Sequence, residues 1–189
     1  MFIQTEATPN PATLKFLPGR DVLPSGTLEV TDAEEARKSP LAEGLFSVPG
    51  VTGVFFGQDF ITVTKRGDLD WQHLKPAVLG AIMDHYLKNK PILAEGVTAV
   101  SGTDEDGEFF DPEDAALVGT IKELLDTRVR PAVAQDGGDI TFKGFKEGVV
   151  FLNMKGSCAG CPSSTATLKQ GIENLLRHFV PEVSEVRPV

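Results

Sequence analysis

Cysteine is nearly absent from this sequence: Cys158 and Cys161 are the only two in 189 residues. A disulfide framework is thereby excluded, and a reducing compartment suits the chain. Histidine is scarce as well, with three copies, His73, His85 and His178. No apolar run approaches the roughly 20 residues of a membrane span, so no membrane partner is expected. The opening stretch, MFIQTEATPNPATLKF, has neither a basic-then-apolar signal pattern nor an Arg-rich amphipathic transit pattern. That predicts a protein that stays in the cytoplasm, or a matured organellar chain. An excess of bases is missing too. The formal net charge is −9, and seven of the acids crowd into residues 103–114, TDEDGEFFDPED. Elsewhere 20 acids nearly balance 18 bases. Neither half offers the basic patch that a nucleic-acid binder needs.

With 41% hydrophobic residues, the chain has enough apolar material for one large or two small globular domains. The run 89–112 is acidic and broken by Pro91, Gly96, Gly102, Gly107 and Pro112. It reads as an extended linker, with a short strand at 96–101 as an option. The expectation is therefore an α+β protein of two small domains, 1–88 and 113–189.

In the first half, two short strands (2–5 and 13–17) flank the Pro9–Asn10–Pro11 turn, and a hairpin joins 50–56 to 60–64. Ser39 and Pro40 open a helix to about Val48, and Asp70 caps another to about Lys88. Leu74, Val78, Ile82 and Tyr86 recur every four residues, which buries one face of that second helix. The helices are expected on one face of an antiparallel sheet. The second half reads α-β-β-α-β. Asp114 caps its first helix and Pro131 ends or kinks it. Strands at 140–145 and 149–154 follow, then a helix opening at Pro162 and a last strand near 183–186.

Cys158 and Cys161 fall between the second of those strands and the Pro162 helix. The unpaired N–H groups and positive dipole of a helix start favour a thiolate there. Gly156 and Gly160 keep the loop open, and Ser157, Ser163, Ser164 and Thr165 supply hydroxyls near sulfur. Lys155 and Lys169 favour an anionic site. Four readings compete: two inert buried thiols, a redox dithiol, a zinc site and an iron–sulfur cluster. The redox reading lacks strands, and no Trp precedes the first Cys. Zinc and clusters both want four ligands. His73 and His85 are expected on the solvated surface of the first domain. His178 lies about 25 Å along its helix from Cys161 at ~1.5 Å per residue, out of reach. A two-fold axis would supply the missing pair from a second copy. Such a shared cluster is exposed and labile, which suits a carrier.

The order Asp136–Gly137–Gly138–Asp139, two strands, then Gly156 to Ser164 (GSCAGCPSS) resembles the C-terminal domain of NifU and the Nfu proteins, iron–sulfur cluster scaffolds and carriers. The first half is similar to the N-terminal domain of one branch of that family. The stretches that carry this likeness are Thr8–Pro11, Leu14–Phe16, Ser39–Ala42, Val51–Phe56 and Phe60–Val63. The resemblance implies that Cys158 and Cys161 ligate a [4Fe–4S] or, alternatively, a [2Fe–2S] cluster across a homodimer. It also implies that the cluster comes from upstream donor proteins, passes to apo client proteins, and needs no catalysis. A thiol–disulfide oxidoreductase and a zinc-bridged structural dimer remain the alternatives. Eukaryotic relatives carry a transit peptide, whereas Met1 here begins almost at the first family stretch. A bacterial cytoplasmic protein is therefore expected.

Asp136 and Asp139 are read as turn and capping acids beside positive-φ glycines, not as an acid–base pair. Trp71 and Tyr86 are read as packing residues. Phe109 and Phe110 either dock on a domain or partner or pack locally. No catalytic constellation stands out in the first half. A recognition role for clients or donors is inferred there, which would raise their effective concentration near the cysteines.

Overall fold

The computed structural model describes residues 1–99, 107–159 and 162–189, with only the backbone of 162–164. It forms two units, Met1–Ser101 and Gly102–Val189, and each is α+β.

The first unit carries β1 (Gln4–Ala7), β2 (Thr13–Leu17), β3 (Leu28–Val30), β4 (Val51–Phe56) and β5 (Ile61–Lys65) in the order β1-β2-β5-β4-β3. Every pairing is antiparallel. Its helices start where local chemistry dictates. The Ser39 hydroxyl accepts from the Ala42 N–H at 3.2 Å, and Pro40 begins α1 (Pro40–Phe46). The Asp70 carboxylate accepts from the Gln72 N–H at 2.9 Å to begin α2 (Trp71–Leu87). Leu74, Val78 and Ile82 of α2 join Leu41 and Leu45 of α1 over Phe16, Phe56 and Ile61. Burial of such side chains is worth about 1.5–3 kcal/mol each against leaving them in water. Trp71 packs edge-on to Phe16, and its indole N–H donates to the Pro11 carbonyl. Ile92, Leu93 and Ala99 also pack on this core. The strand expected at 96–101 does not form over 96–99, and its last two residues lie outside the described ones.

The sequence reading placed His85 on a solvated surface, and the structure corrects this. His85 is 5% exposed, and burial pulls its imidazole below the ordinary value of 6.5, with the Lys90 charge adding to the effect. Its position, three residues after Ile82, continues the buried stripe of α2.

In the second unit, α3 (Ala115–Leu124) runs through a single wide π turn (Leu125–Val129) into α4 (Arg130–Gln135). Then come β6 (Gly138–Lys146), β7 (Val149–Gly156), α5 (Pro162–Phe179) and β8 (Glu185–Pro188), with sheet order β6-β7-β8. β6 and β7 form an antiparallel hairpin, turned by Glu147 (φ 52°) and Gly148 (φ 79°). β8 instead lies parallel to β7, pairing Val149 with Glu185 and Leu152 with Pro188. Helix α5 is the crossover that parallel pairing requires. Ile121, Leu125, Ile140, Leu152 and Leu176 fill the core between helices and sheet.

The helical irregularity expected at Pro131 lies just before it: α3 stops at Leu124, the π turn covers Leu125–Val129, and Pro131 sits in the first turn of α4. Two expectations fail in this unit. Asp114 does not cap α3 through its side chain; it belongs to a 3-10 turn, Pro112–Asp114, that leads into the helix. Asp139 is no turn acid. It is 4% exposed within β6, and its carboxylate takes both the Nε and an Nη of Arg130 at 2.9 Å.

Phe109 and Phe110 dock on their own unit. The Phe109 N–H donates to the Lys143 carbonyl at 3.2 Å, and the Phe145 N–H donates to the Phe109 carbonyl at 2.8 Å. This makes a parallel bridge to Gly144 on the outer edge of β6, beside a bulge between Phe142 and Gly144. The rings lie 5.1 Å from Phe151 and 6.4 Å from Phe142. A Cβ at Gly144 would collide with the Phe109 ring. Of the acidic stretch expected to form a linker, residues 103–106 lie outside the described ones.

Candidate metal centre at the end of the central strand

β7 is the middle strand of its sheet, and the turn that leaves it carries Cys158. The backbone reaches that turn through Gly156, at a φ of 63° that a side chain would strain. It then folds against the Asp136–Gly137 turn that precedes β6, where Gly137 has a φ of 81°. Ser157 fastens the two turns: its N–H donates to the Gly137 carbonyl at 3.3 Å and its hydroxyl to the Asp136 carbonyl at 2.5 Å. On the far side, the Thr165 hydroxyl in the first turns of α5 donates to the Cys158 carbonyl at 3.3 Å. Both ends of the turn are thus tied, one to the turn before β6 and one to α5.

Gly138 backs the cysteine directly. A Cβ there would lie 2.5 Å from Cys158 Sγ, 2.9 Å from the Lys155 carbonyl and 3.1 Å from the Cys158 nitrogen. No ordinary Cβ tolerates such contacts, so the second glycine of the Gly137–Gly138 pair is there for space. Gly137 serves the turn; Gly138 serves the thiol.

Burial decides the ionisation of Cys158. The residue is 6% exposed and belongs to the apolar core of its unit. Burial pushes the thiol up to about 11, the Asp136 and Asp139 carboxylates add to the rise, and a hydrogen bond with Ser157 opposes it. Burial thus works against the thiolate that a helix start would favour. Ligation of a metal requires Cys158 to lose its proton.

Cys161 and Gly160 lie outside the described residues, as do the side chains of Ser163 and Ser164. Lys155 is buried at the end of β7, opposite Asp139 in the ladder. Lys169 is taken by Glu185 at 3.6 Å, towards the other end of the sheet. His73 and His85 belong to the first unit, and the ring of His178 packs on Phe179. Among the described residues, no three His, Cys, Asp or Glu side chains gather to hold a metal. Sequence reasoning missed the Arg130–Asp139 pair behind this turn. Nothing in the nine-residue spacing of Arg130 and Asp139 announces it.

Comparison with known proteins adds the following. Residues 3–89 match the family model described as the scaffold protein Nfu/NifU N terminal, and residues 121–187 match the NifU-like domain. Over 190 residues the chain is 49% identical to the human NFU1 iron-sulfur cluster scaffold homolog, mitochondrial, covering 100% of this chain and 72% of that protein. It is 47% identical to NifU-like protein 4, mitochondrial, of Arabidopsis thaliana, covering 98% of this chain and 65% of the relative. A solution structure of a NifU-like protein from Saccharomyces cerevisiae aligns with a TM-score of 0.45 at 25% identity, over 50% of this chain and 86% of that one. The mitochondrial names of relatives that span this whole chain overturn the expected bacterial cytoplasmic location. That expectation rested on the place of Met1, which carries no information about compartment.

Proposed function

Because the chain belongs to the Nfu/NifU family of iron–sulfur cluster scaffold proteins, we propose that it holds a cluster between two copies of its cysteine turn and passes it to apo-proteins. The observation that carries this reading is the composition of the site. Cys158 stands on a turn at the end of β7, and no metal-holding group of three ligands exists among the described residues. The remaining ligands come from Cys161 and from a second copy of the chain, giving four thiolates. A [4Fe–4S] cluster is the species we favour, with [2Fe–2S] as its smaller counterpart. The cluster is cargo, and the chain acts as scaffold and carrier, not as an enzyme.

Residues 113–189 then form the cluster domain. Residues 1–88 form a domain that docks clients or donors, joined to it through 89–112. An organellar setting, as the relatives' names indicate for them, is the compartment we assign.

Anaerobic reconstitution with iron and sulfide tests the proposal. The expected product is a dimer with about four iron atoms and a broad visible absorbance, as one shared cubane demands. Cys158→Ser and Cys161→Ser should each abolish both the colour and the iron-dependent dimer. A full complement of iron in either variant would falsify the shared four-thiolate site.

A further inference from the structure

Glu108 stands at the head of the segment that bridges the edge of β6, and its side chain is 7% exposed. One carboxylate oxygen, Oε2, takes the Lys122 ammonium at 2.6 Å. The other, Oε1, has no hydrogen-bond partner among the described residues. Thr141 of β6 is 3% exposed, and its hydroxyl is equally without a partner there. Both residues line one cavity of about 10 Å³, together with Lys122, Asp126, Arg130 and Phe142. Two buried polar atoms left unpaired in one place would each cost on the order of 1–3 kcal/mol. A fold rarely keeps two such costs side by side without a shared remedy.

The size of the cavity names the remedy. A single water needs roughly 10–15 Å³ by the same measure, and it needs at least two polar partners. Ligand number argues the same way. The charges at the walls are already engaged: Lys122 holds Glu108, and Arg130 holds both Asp126 and Asp139. A hard cation takes about six or more oxygen ligands, whereas the unpaired oxygens here are Glu108 Oε1 and the Thr141 hydroxyl. We propose that this cavity holds one structural water. It donates to Glu108 Oε1, which can only accept, and exchanges its second hydrogen bond with the Thr141 hydroxyl.

The water then completes a latch. Glu108 is tied to α3 through Lys122 and to β6 through the water, and the next residue, Phe109, makes the bridge to Gly144. β6 is an outer strand of its sheet. An outer strand with free N–H and C=O groups is a template for pairing with another chain. The latch keeps the Phe109 bridge in place and so keeps this stretch of the edge closed.

Hydrogen exchange of the Phe109 and Phe145 amides in the full chain tests the idea, because those two N–H groups make the bridge. Thr141→Val keeps the shape but removes the hydroxyl. With a bridging water, it strands Glu108 Oε1 and should speed exchange at both amides roughly 5- to 30-fold. Thr141→Ser should leave exchange near the native rate. Unchanged or slower exchange in Thr141→Val overturns the proposal, since removing a hydroxyl that bonds nothing is neutral or stabilising. Should the valine variant not fold, a high-resolution crystal structure of the native chain decides. One solvent peak within hydrogen-bond distance of both oxygens supports the water; a dry cavity or a coordinated cation sinks it.

Discussion

In the first unit the buried polar side chains serve the framework. Thr13, Lys15 and Thr62 lie on the paired strands β2 and β5, with Asn10 in the turn just before, while Ser39 caps α1 and His85 sits at the far end of α2. In the second unit Asp139, Thr141, Lys155 and Ser157 belong to β6, β7 or the turn that follows. Polar groups of the first kind pair across strands or cap a helix. Of the second kind, Asp139, Lys155 and Ser157 lie around the turn that carries Cys158. The first unit is thus the chemically quieter one, and the second sets polar groups beside one thiol.

The sharpest way to break that contrast is to damage the quiet unit and watch the other. Ile82→Ala removes a fully buried side chain and should cost about 2–5 kcal/mol. Exchange of the β4 and β5 amides should then rise while iron loading stays native. Loss of loading in this variant would show that the units are not chemically separable. Gly138→Ala is the counterpart. Its Cβ would press on Cys158 Sγ and on backbone, at a cost of roughly 1–3 kcal/mol. Loading should fall in this variant while the first unit keeps its exchange rates.

Acid provides a smaller test with the opposite address. His85 is held below its ordinary value of 6.5 by burial. Folding therefore favours the neutral ring, and the unfolded chain binds the extra proton. The stability this group contributes is complete above about pH 6.5 and is lost as pH falls below it. Residue-resolved exchange between pH 7.5 and 5.5 should show a destabilisation of the first unit that His85→Gln removes. The smallest expected effect is Lys88→Ala, which breaks an exposed pair with Asp84. It should change stability by no more than about 0.5 kcal/mol, read by urea unfolding.

Much of this fold is legible from local chemistry. Ser39–Pro40 and Asp70 announced α1 and α2, and the glycine-bearing turns announced both hairpins. These are features a few residues can specify alone. The parallel pairing of β8 was not visible, because Val149 and Glu185 are far apart in sequence and strand direction depends on where α5 leads the chain. The π turn stayed hidden for a similar reason: Leu125 to Val129 carry an ordinary helical pattern. At the site, the sequence identified the thiols and the glycines beside them. It did not foresee the burial that raises the Cys158 thiol, because depth is a property of the whole unit. His85 reads as exposed because a surface histidine is the commoner case, although its place three residues after Ile82 puts it on the buried stripe.

The β2–β5 ladder has a consequence in time. It joins Thr13 to Thr64, residues 51 apart, and β2 is the strand on which β1 also rests. The hairpin of β6 and β7, by contrast, closes over two residues. During synthesis the first two strands must wait for β5 (Ile61–Lys65), well past the middle of their unit, before their sheet can close. Two strands alone are marginal in water, and closing a long loop precedes any return from the contacts it makes. The unit that comes first from the ribosome is therefore the one that finishes slowly, and its early strands are those most in need of shelter while the chain is being made.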